Sequence, residues 1–115
     1  MMSKLEIKLD SRPNGVYVMS LAGPADVLNI PYMDAQLKAL LERKPARVVF
    51  DLQGLTFIAS LAIGALIHFR QSASAWNGIV HLCGASDLIT NTIKRVRIDA
   101  LLPVYPTVDA ALAAK

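Results

Sequence analysis

The sequence predicts a single α/β domain over residues 1–115, with a mixed sheet of four to five strands and about four helices. Two observations lead to this prediction. Short apolar runs alternate along the chain with segments of helical spacing, which is the pattern of parallel strands joined by right-handed helical crossovers. The chain has 115 residues, the length of one domain, and a second domain would leave neither with an adequate core.

Composition narrows the classes of function. With 54% hydrophobic and 18% charged residues, the chain carries enough apolar surface to fold, which excludes a disordered segment. The net charge of +3 comes from 12 basic and 9 acidic residues spread along the sequence, and this excess is too slight to indicate nucleic-acid binding. The longest nearly uncharged apolar stretch, residues 55–69, is shorter than the roughly 20 residues of a membrane span.

The cysteine content and the start of the chain indicate a location. Cys83 is the single cysteine and cannot form an internal disulfide. The residues after Met1 lack the basic and apolar segments of a secretory signal peptide. These features are typical of a reducing compartment, and we expect a cytoplasmic protein.

The first two elements predict an antiparallel hairpin near the edge of the sheet. In the first strand, apolar residues alternate with charged ones, as in a strand with one face in water; they are Leu5, Ile7 and Leu9. Residues 11–15 contain Pro and Asn-Gly, which are signals of a tight turn. A second strand covers residues 16–21, and we expect Gly23 and Pro24 to end it.

The remaining elements follow the same logic. Apolar residues at helical spacing predict a first helix over residues 31–43. A second helix begins at Ser60 and ends near residue 76. Continuous apolar runs at residues 48–50 and 79–83 are typical of strands buried on both faces. A third helix over residues 88–96, a short strand within residues 101–105 and a helix from Val108 to Ala114, capped by Thr107, complete the prediction.

The sequence lacks the usual signatures of catalysis. It contains no Gly-rich phosphate loop, no Cys or His cluster at metal-binding spacing and no paired carboxylates on one element. His68 and His81 fall in separate elements, and Cys83 ends a buried strand, where packing explains it. We therefore expect a protein that is not an enzyme and holds no metal or cofactor. A hydrolase or phosphotransfer protein with Ser60 as nucleophile is the weaker alternative, because Ser60 has no identifiable base.

The strongest functional signal is the junction at Ser60, between a strand end and the second helix. Ser60 is either a helix cap, because serine hydroxyls accept a hydrogen bond from a first-turn N–H group, or a phosphorylation site. The second interpretation has a physical basis, because the positive end of a helix tolerates added negative charge. The outer side of the helix start, Leu61, Ala62 and Ala65, would then lose an apolar contact with a partner.

Four segments, in order, resemble the STAS domains of bacterial anti-sigma factor antagonists and of the cytoplasmic ends of some anion transporters. Leu21-Ala22-Gly23-Pro24-Ala25-Asp26 resembles the turn after the family's second strand. Residues 48–58 resemble its buried strand and loop, Ser60 its helix start, and residues 98–112 its closing segment and last helix.

This resemblance implies a STAS-like fold, with helices mainly on one face of the sheet, and a protein-binding function. In the family an Asp-Ser pair precedes the second helix, and an anti-sigma factor that is a serine kinase phosphorylates the Ser and thereby releases the complex. That Ser falls on Ser60. The sequence departs from the family at three places: Ala59 replaces the Asp, Leu61-Ala62 stand where a small residue and Gly are common, and Arg97 stands where a Gly of positive φ often ends the third helix.

The leading hypothesis is a non-enzymatic anti-sigma factor antagonist that is released by phosphorylation at Ser60. The residues expected to bind the partner are Asp26, Thr56, Ala59, Ser60, Leu61, Ala62 and Ala65. Two alternatives stay open. One is an accessory subunit of a lipid or anion transporter that binds an ATPase subunit, and the other is a constitutive STAS module without a phosphoswitch. The sequence permits a monomer or a weak dimer.

Overall fold

A computed structural model describes residues 4–114. The start of the chain, where no signal peptide is expected, lies outside these residues. The described part forms five strands, β1 (Glu6–Arg12), β2 (Val16–Ala25), β3 (Arg47–Ile58), β4 (Ile79–Cys83) and β5 (Val104–Tyr105), and four helices, α1 (Ile30–Leu41), α2 (Ser60–Ala73), α3 (Asp87–Arg95) and α4 (Val108–Ala113). None of these helices is long and apolar enough to cross a membrane.

The strands lie side by side in the order β1-β2-β3-β4-β5. β1 and β2 form the predicted antiparallel hairpin, and its turn uses positive φ at Asn14 and Gly15. The remaining neighbours pair in parallel, so the sheet is mixed, as predicted. β1 lies at one edge of the sheet, also as predicted.

Helices α1, α2 and α3 cover one face of the sheet, where most of the core lies. Their buried side chains join those of the strands in one cluster, in which the rings of Phe50 and Phe69 meet edge to face with centroids 5.2 Å apart. A smaller cluster lies on the opposite face beneath α4 and contains Val18, Val49, Cys83 and Ala111. The prediction that helices pack mainly on one face is therefore confirmed.

The prediction that Gly23 and Pro24 end the second strand is wrong. β2 continues to Ala25 and stays paired with β3 throughout this stretch. Gly23 is there because a Cβ at its position would lie 2.7 Å from the carbonyl oxygen of Lys4. A glycine between two strands can mark a close backbone approach rather than a strand end.

β3 is far longer than the apolar run that predicts it. Two register shifts against β2 insert an extra residue into β3 near Gln53 and again at Thr56. Each β-bulge changes which face the next side chains take, and the buried residues of this half therefore fall at every third position, Leu52, Leu55 and Ile58. A strand with this spacing has no period of two in its sequence.

The turn after α2, the end of α3 and the start of α4 match the sequence signals. Asn77 follows the turn after α2 with φ of 61°, and the Thr107 hydroxyl accepts from the Ala110 N–H at 3.1 Å as the cap of α4. Beyond α3, the N–H of Ile98 donates to the carbonyl of Ile93, and Arg97 between them has φ of 57°. This is the left-handed ending that favours glycine, so an arginine at this position carries backbone strain.

Candidate functional site

Parallel pairing brings the carboxyl ends of β2 and β3 together. Ala25 pairs with Ile58 at the last rung, and the Ala59 N–H then donates to the Ala25 carbonyl at 2.8 Å. The loop after β2 and the start of α2 are thus held side by side. In parallel sheets, this end of the strands is where binding residues usually collect.

Ser60 is the first residue of α2 and is exposed. It is not the helix cap: Ala59 occupies that position and offers no side-chain acceptor. The interpretation of Ser60 as a cap is therefore wrong by one position. The first turn of α2 contains no acidic residue, so its N–H groups have neither a side-chain cap nor a carboxylate in that turn.

Large exposed apolar side chains lie at this end of the sheet, on the segments that follow β2 and β4 and around the junction of β3 and α2. We call them the apolar rim: Val27 (61% exposed), Leu28 (67%), Phe57 (50%), Leu61 (61%) and Leu88 (64%). Single exposed apolar residues are ordinary, but several at one end of a sheet indicate an interaction surface. A groove of about 260 Å³ connects Ser60 with Phe57 on one side and Leu88 on the other.

The Asp26 carboxylate organises the loop that presents two members of the rim. It accepts from the backbone N–H of Asn29 at 3.2 Å and from the Asn29 side-chain amide at 2.9 Å. Asn29 in turn donates to the Pro24 carbonyl and accepts from the Leu5 N–H. Both bonds end on Oδ1 of Asp26, and they hold the loop that carries the exposed side chains of Val27 and Leu28.

The other residues predicted to bind a partner differ in their placement. Thr56 is exposed at the second bulge of β3, Leu61 belongs to the apolar rim, and Ala65 is half-buried. Ala62 is a correction: its side chain is fully buried in the main core and cannot touch a partner. The core stripe of α2 runs through residues 62, 63, 66, 69 and 73, so position 62 faces the sheet.

Sequence reasoning missed four residues of this surface, Val27, Leu28, Phe57 and Leu88. Leu88 carries a signal that was available, because it lies next to Ile89 in the first turn of a strongly amphipathic helix, on the polar side of that helix. The sequence around Phe57 gives no such signal, because its side chain faces outward only as a result of the bulge at Thr56.

The titratable residues away from this surface have structural surroundings. Burial raises the pKa of Cys83 to about 11, and Asp51 adds to this shift, so the thiol is a packing group, as predicted. His81 is buried with Nδ1 3.4 Å from the Ala111 carbonyl oxygen, and burial lowers the pKa of its imidazole. His68 is exposed on α2. Within residues 4–114, no three His, Cys, Asp or Glu side chains are grouped to hold a metal ion.

Comparison with known proteins identifies the fold. The family model for the STAS domain matches residues 9–111. An anti-sigma factor antagonist from Mycobacterium paratuberculosis is 22% identical, with a TM-score of 0.87 over 97% of this chain and 96% of that one. The anti-sigma factor antagonist SpoIIAA of Bacillus, in its unphosphorylated form, is 15% identical, with a TM-score of 0.81 over 93% of each chain.

A transporter protein has the same fold. The sulfate transporter family protein from Wolinella succinogenes is 24% identical, with a TM-score of 0.73 over 90% of this chain and 87% of that one. A search of curated protein sequences gives no match. At these identities the solved structures establish the α/β fold with its five-stranded mixed sheet and four helices.

Proposed function

This chain belongs to the STAS domain family, and on that premise we propose that it is a non-enzymatic anti-sigma factor antagonist regulated by phosphorylation at Ser60. The observation that carries the proposal is the position of Ser60. Its side chain is exposed at the start of α2, which has no side-chain cap, and it lines a groove together with Phe57 and Leu88 of the apolar rim. Two of the similar structures are described as anti-sigma factor antagonists, which supports the choice of partner.

Unphosphorylated, the surface suits a protein partner. Phe57, Leu61 and Leu88 present apolar groups that lose contact with water when a partner covers them, at about 25 cal/mol for each Å² of apolar area. The partner is an anti-sigma factor with serine kinase activity, and its binding frees the sigma factor.

Phosphorylation of Ser60 would weaken the binding of this partner. A phosphoserine carries a charge of about −1.5 to −2 at neutral pH, and the first-turn N–H groups of α2 stabilise that charge within the folded chain. The fold therefore survives the modification. A partner that covers the rim must strip water from the phosphate, which weakens binding by roughly 1.4–3 kcal/mol, or about 10- to 150-fold in Kd.

The first experiment reads the modification directly. The protein is isolated from its own cells during growth and during stress, and its intact mass and phosphopeptides are measured. We expect one phosphate on Ser60, with an occupancy that changes with condition. A Ser60 that is unmodified in every condition would contradict the phosphoswitch.

The second experiment measures the consequence for binding. A tagged chain captures its partner, which is identified, purified and titrated against the Ser60→Asp, Ser60→Ala and Ser11→Asp variants. We expect Ser60→Asp to bind at least about tenfold more weakly, while Ser60→Ala binds like the wild type. Ser11→Asp adds the same charge at an exposed position on β1 and should bind normally. Equal affinities for the two Ser60 variants would reject the switch.

A second candidate function is an accessory subunit of a transporter, which binds an ATPase subunit through the same rim. The similarity to the sulfate transporter family protein favours it. Co-purification with a transporter ATPase, with no protein kinase present, would select this function. The Ser60→Asp variant still tests in that case whether charge at the helix start controls the complex.

A further inference from the structure

We propose that the free edge of β1 pairs antiparallel with β1 of a second copy of this chain, with Leu9 at the two-fold axis. This inference does not rest on the function proposed above, because it concerns a different surface. β1 is the outermost strand of the sheet and pairs on one side only, with β2. No segment within residues 4–114 pairs with its outer side.

An edge strand of this length is unusual unless something protects it. β1 has seven residues, whereas β5 at the opposite edge has two. Exposed strand edges are templates for pairing, and proteins usually block them with bulges, prolines or charged side chains. β1 pairs with β2 in an unbroken register from Glu6 to Arg12, and it contains no proline.

The charged residues of β1 alternate in sign, so a second antiparallel copy can place opposite charges across from each other. Four exposed charged side chains project from one face of the strand, in the order Glu6, Lys8, Asp10 and Arg12. In an antiparallel pair centred on Leu9, Glu6 lies opposite Arg12 of the second copy, and Lys8 lies opposite its Asp10. Opposite charges directly across a strand pair are stabilising.

Other registers fit less well. Centring the pair on Lys8 or on Asp10 would place like charges opposite each other. Centring it on Ile7 would match the charges, but that register uses Leu5, whose backbone N–H already donates to the Asn29 side chain at 3.2 Å. The register centred on Leu9 is the one that engages the whole of β1.

The apolar side of the strand points to the same register. Leu9 is 39% exposed although it lies on the side of β1 that faces the core. With Leu9 on the axis, each copy's Leu9 side chain covers the other's. The partner of this edge is thus a second copy of the chain, and pairing would extend the sheet to ten strands across the dimer.

The test is a charge exchange followed by analytical ultracentrifugation up to millimolar protein. We expect the wild type to show a monomer–dimer equilibrium. Lys8→Asp faces Asp10 of the other copy, and Asp10→Lys faces its Lys8, so each variant alone should dimerise at least about tenfold more weakly. Mixed together they should form a heterodimer, and the double variant should dimerise like the wild type.

A control variant separates this pattern from a general effect of charge. Lys38→Asp makes the same charge change on the exposed surface of α1 and should leave dimerisation unchanged. Circular dichroism checks that each variant folds. The proposal would be overturned by a wild type that stays monomeric at every concentration. It would also be overturned if the dimer dissociation constants of the Lys8→Asp and Asp10→Lys variants equalled that of the wild type.

Discussion

The Ala59 N–H and the Ala25 carbonyl oxygen are joined by a hydrogen bond of 2.8 Å. This bond continues the β2–β3 pairing one step past the sheet, to the residue before Ser60. It fixes the start of α2 beside the loop that follows β2, and so places side chains from distant parts of the sequence on one surface.

The apolar rim should contribute to binding without contributing to stability. Leu61→Ser and Leu88→Ser replace side chains that are more than half exposed, so we expect the free energy of unfolding to change by less than about 0.5 kcal/mol. Partner affinity should fall at least about fivefold for each. Leu101→Ser, at an exposed leucine outside the rim, is the control in calorimetric titration. A similar loss for all three variants would contradict the assignment.

Two glycines should respond oppositely to alanine. Gly64 lies within α2, and a Cβ there would meet nothing within 4 Å, so Gly64→Ala should stabilise the fold by about 0.5–1 kcal/mol. At Gly54 a Cβ would lie 2.7 Å from the Ala22 Cβ, and Gly54→Ala should destabilise it by about 1–3 kcal/mol. Urea unfolding measures both changes. Equal shifts would show that the first bulge of β3 does not need glycine.

The left-handed position at Arg97 predicts a stabilising substitution. Arg97 has φ of 57°, so Arg97→Gly should raise the free energy of unfolding by about 0.5–1 kcal/mol. Arg95→Gly removes the same charge from the last residue of α3 and should lower the free energy of unfolding by about 0.5–1 kcal/mol. Thermal unfolding of both variants checks the sign, and destabilisation by Arg97→Gly would contradict the geometry.

Buried His81 should make stability depend on pH. Burial lowers the pKa of His81 below its ordinary 6.5, and the positive charge of Arg47 acts in the same direction. The unfolded chain therefore binds a proton more readily than the folded chain, and stability falls as pH decreases below 6.5 towards the lowered pKa. Above pH 6.5, His81 is neutral in both the folded and the unfolded chain, and it costs the fold no stability.

The measurement compares the wild type with His81→Gln, whose amide keeps a donor for the Ala111 carbonyl. Urea unfolding between neutral and mildly acidic pH should show a steeper loss of stability in the wild type. Parallel curves for the two proteins would mean that His81 titrates alike in both states.

Elements whose signals are local could be predicted from the sequence. The hairpin follows from alternating residues around an Asn-Gly turn, and β4 has the predicted bounds because its apolar run is continuous. The second half of β3 could not be predicted, because its bulges at Gln53 and Thr56 depend on the partner strand.

The candidate site divides in the same way. Ser60 could be found from its place between a strand and a helix, but the inward orientation of Ala62 depends on how α2 rotates against the sheet. Val27 and Leu28 reach the site because Asp26 and Asn29 shape their loop. That contact is three residues apart in sequence, yet the proximity of the loop to Ser60 is set by the parallel pairing of β2 and β3.

The order of strands in the sheet equals their order along the chain, and this has a consequence for synthesis on the ribosome. Each strand emerges next to a neighbour that is already made, so the sheet can grow one strand at a time from its amino-terminal edge. The face beneath α4 is completed last, because Val18 and Val49 stay uncovered there until Ala111 of α4 packs against them. We expect the nascent chain to be most prone to aggregation just before α4 leaves the exit tunnel.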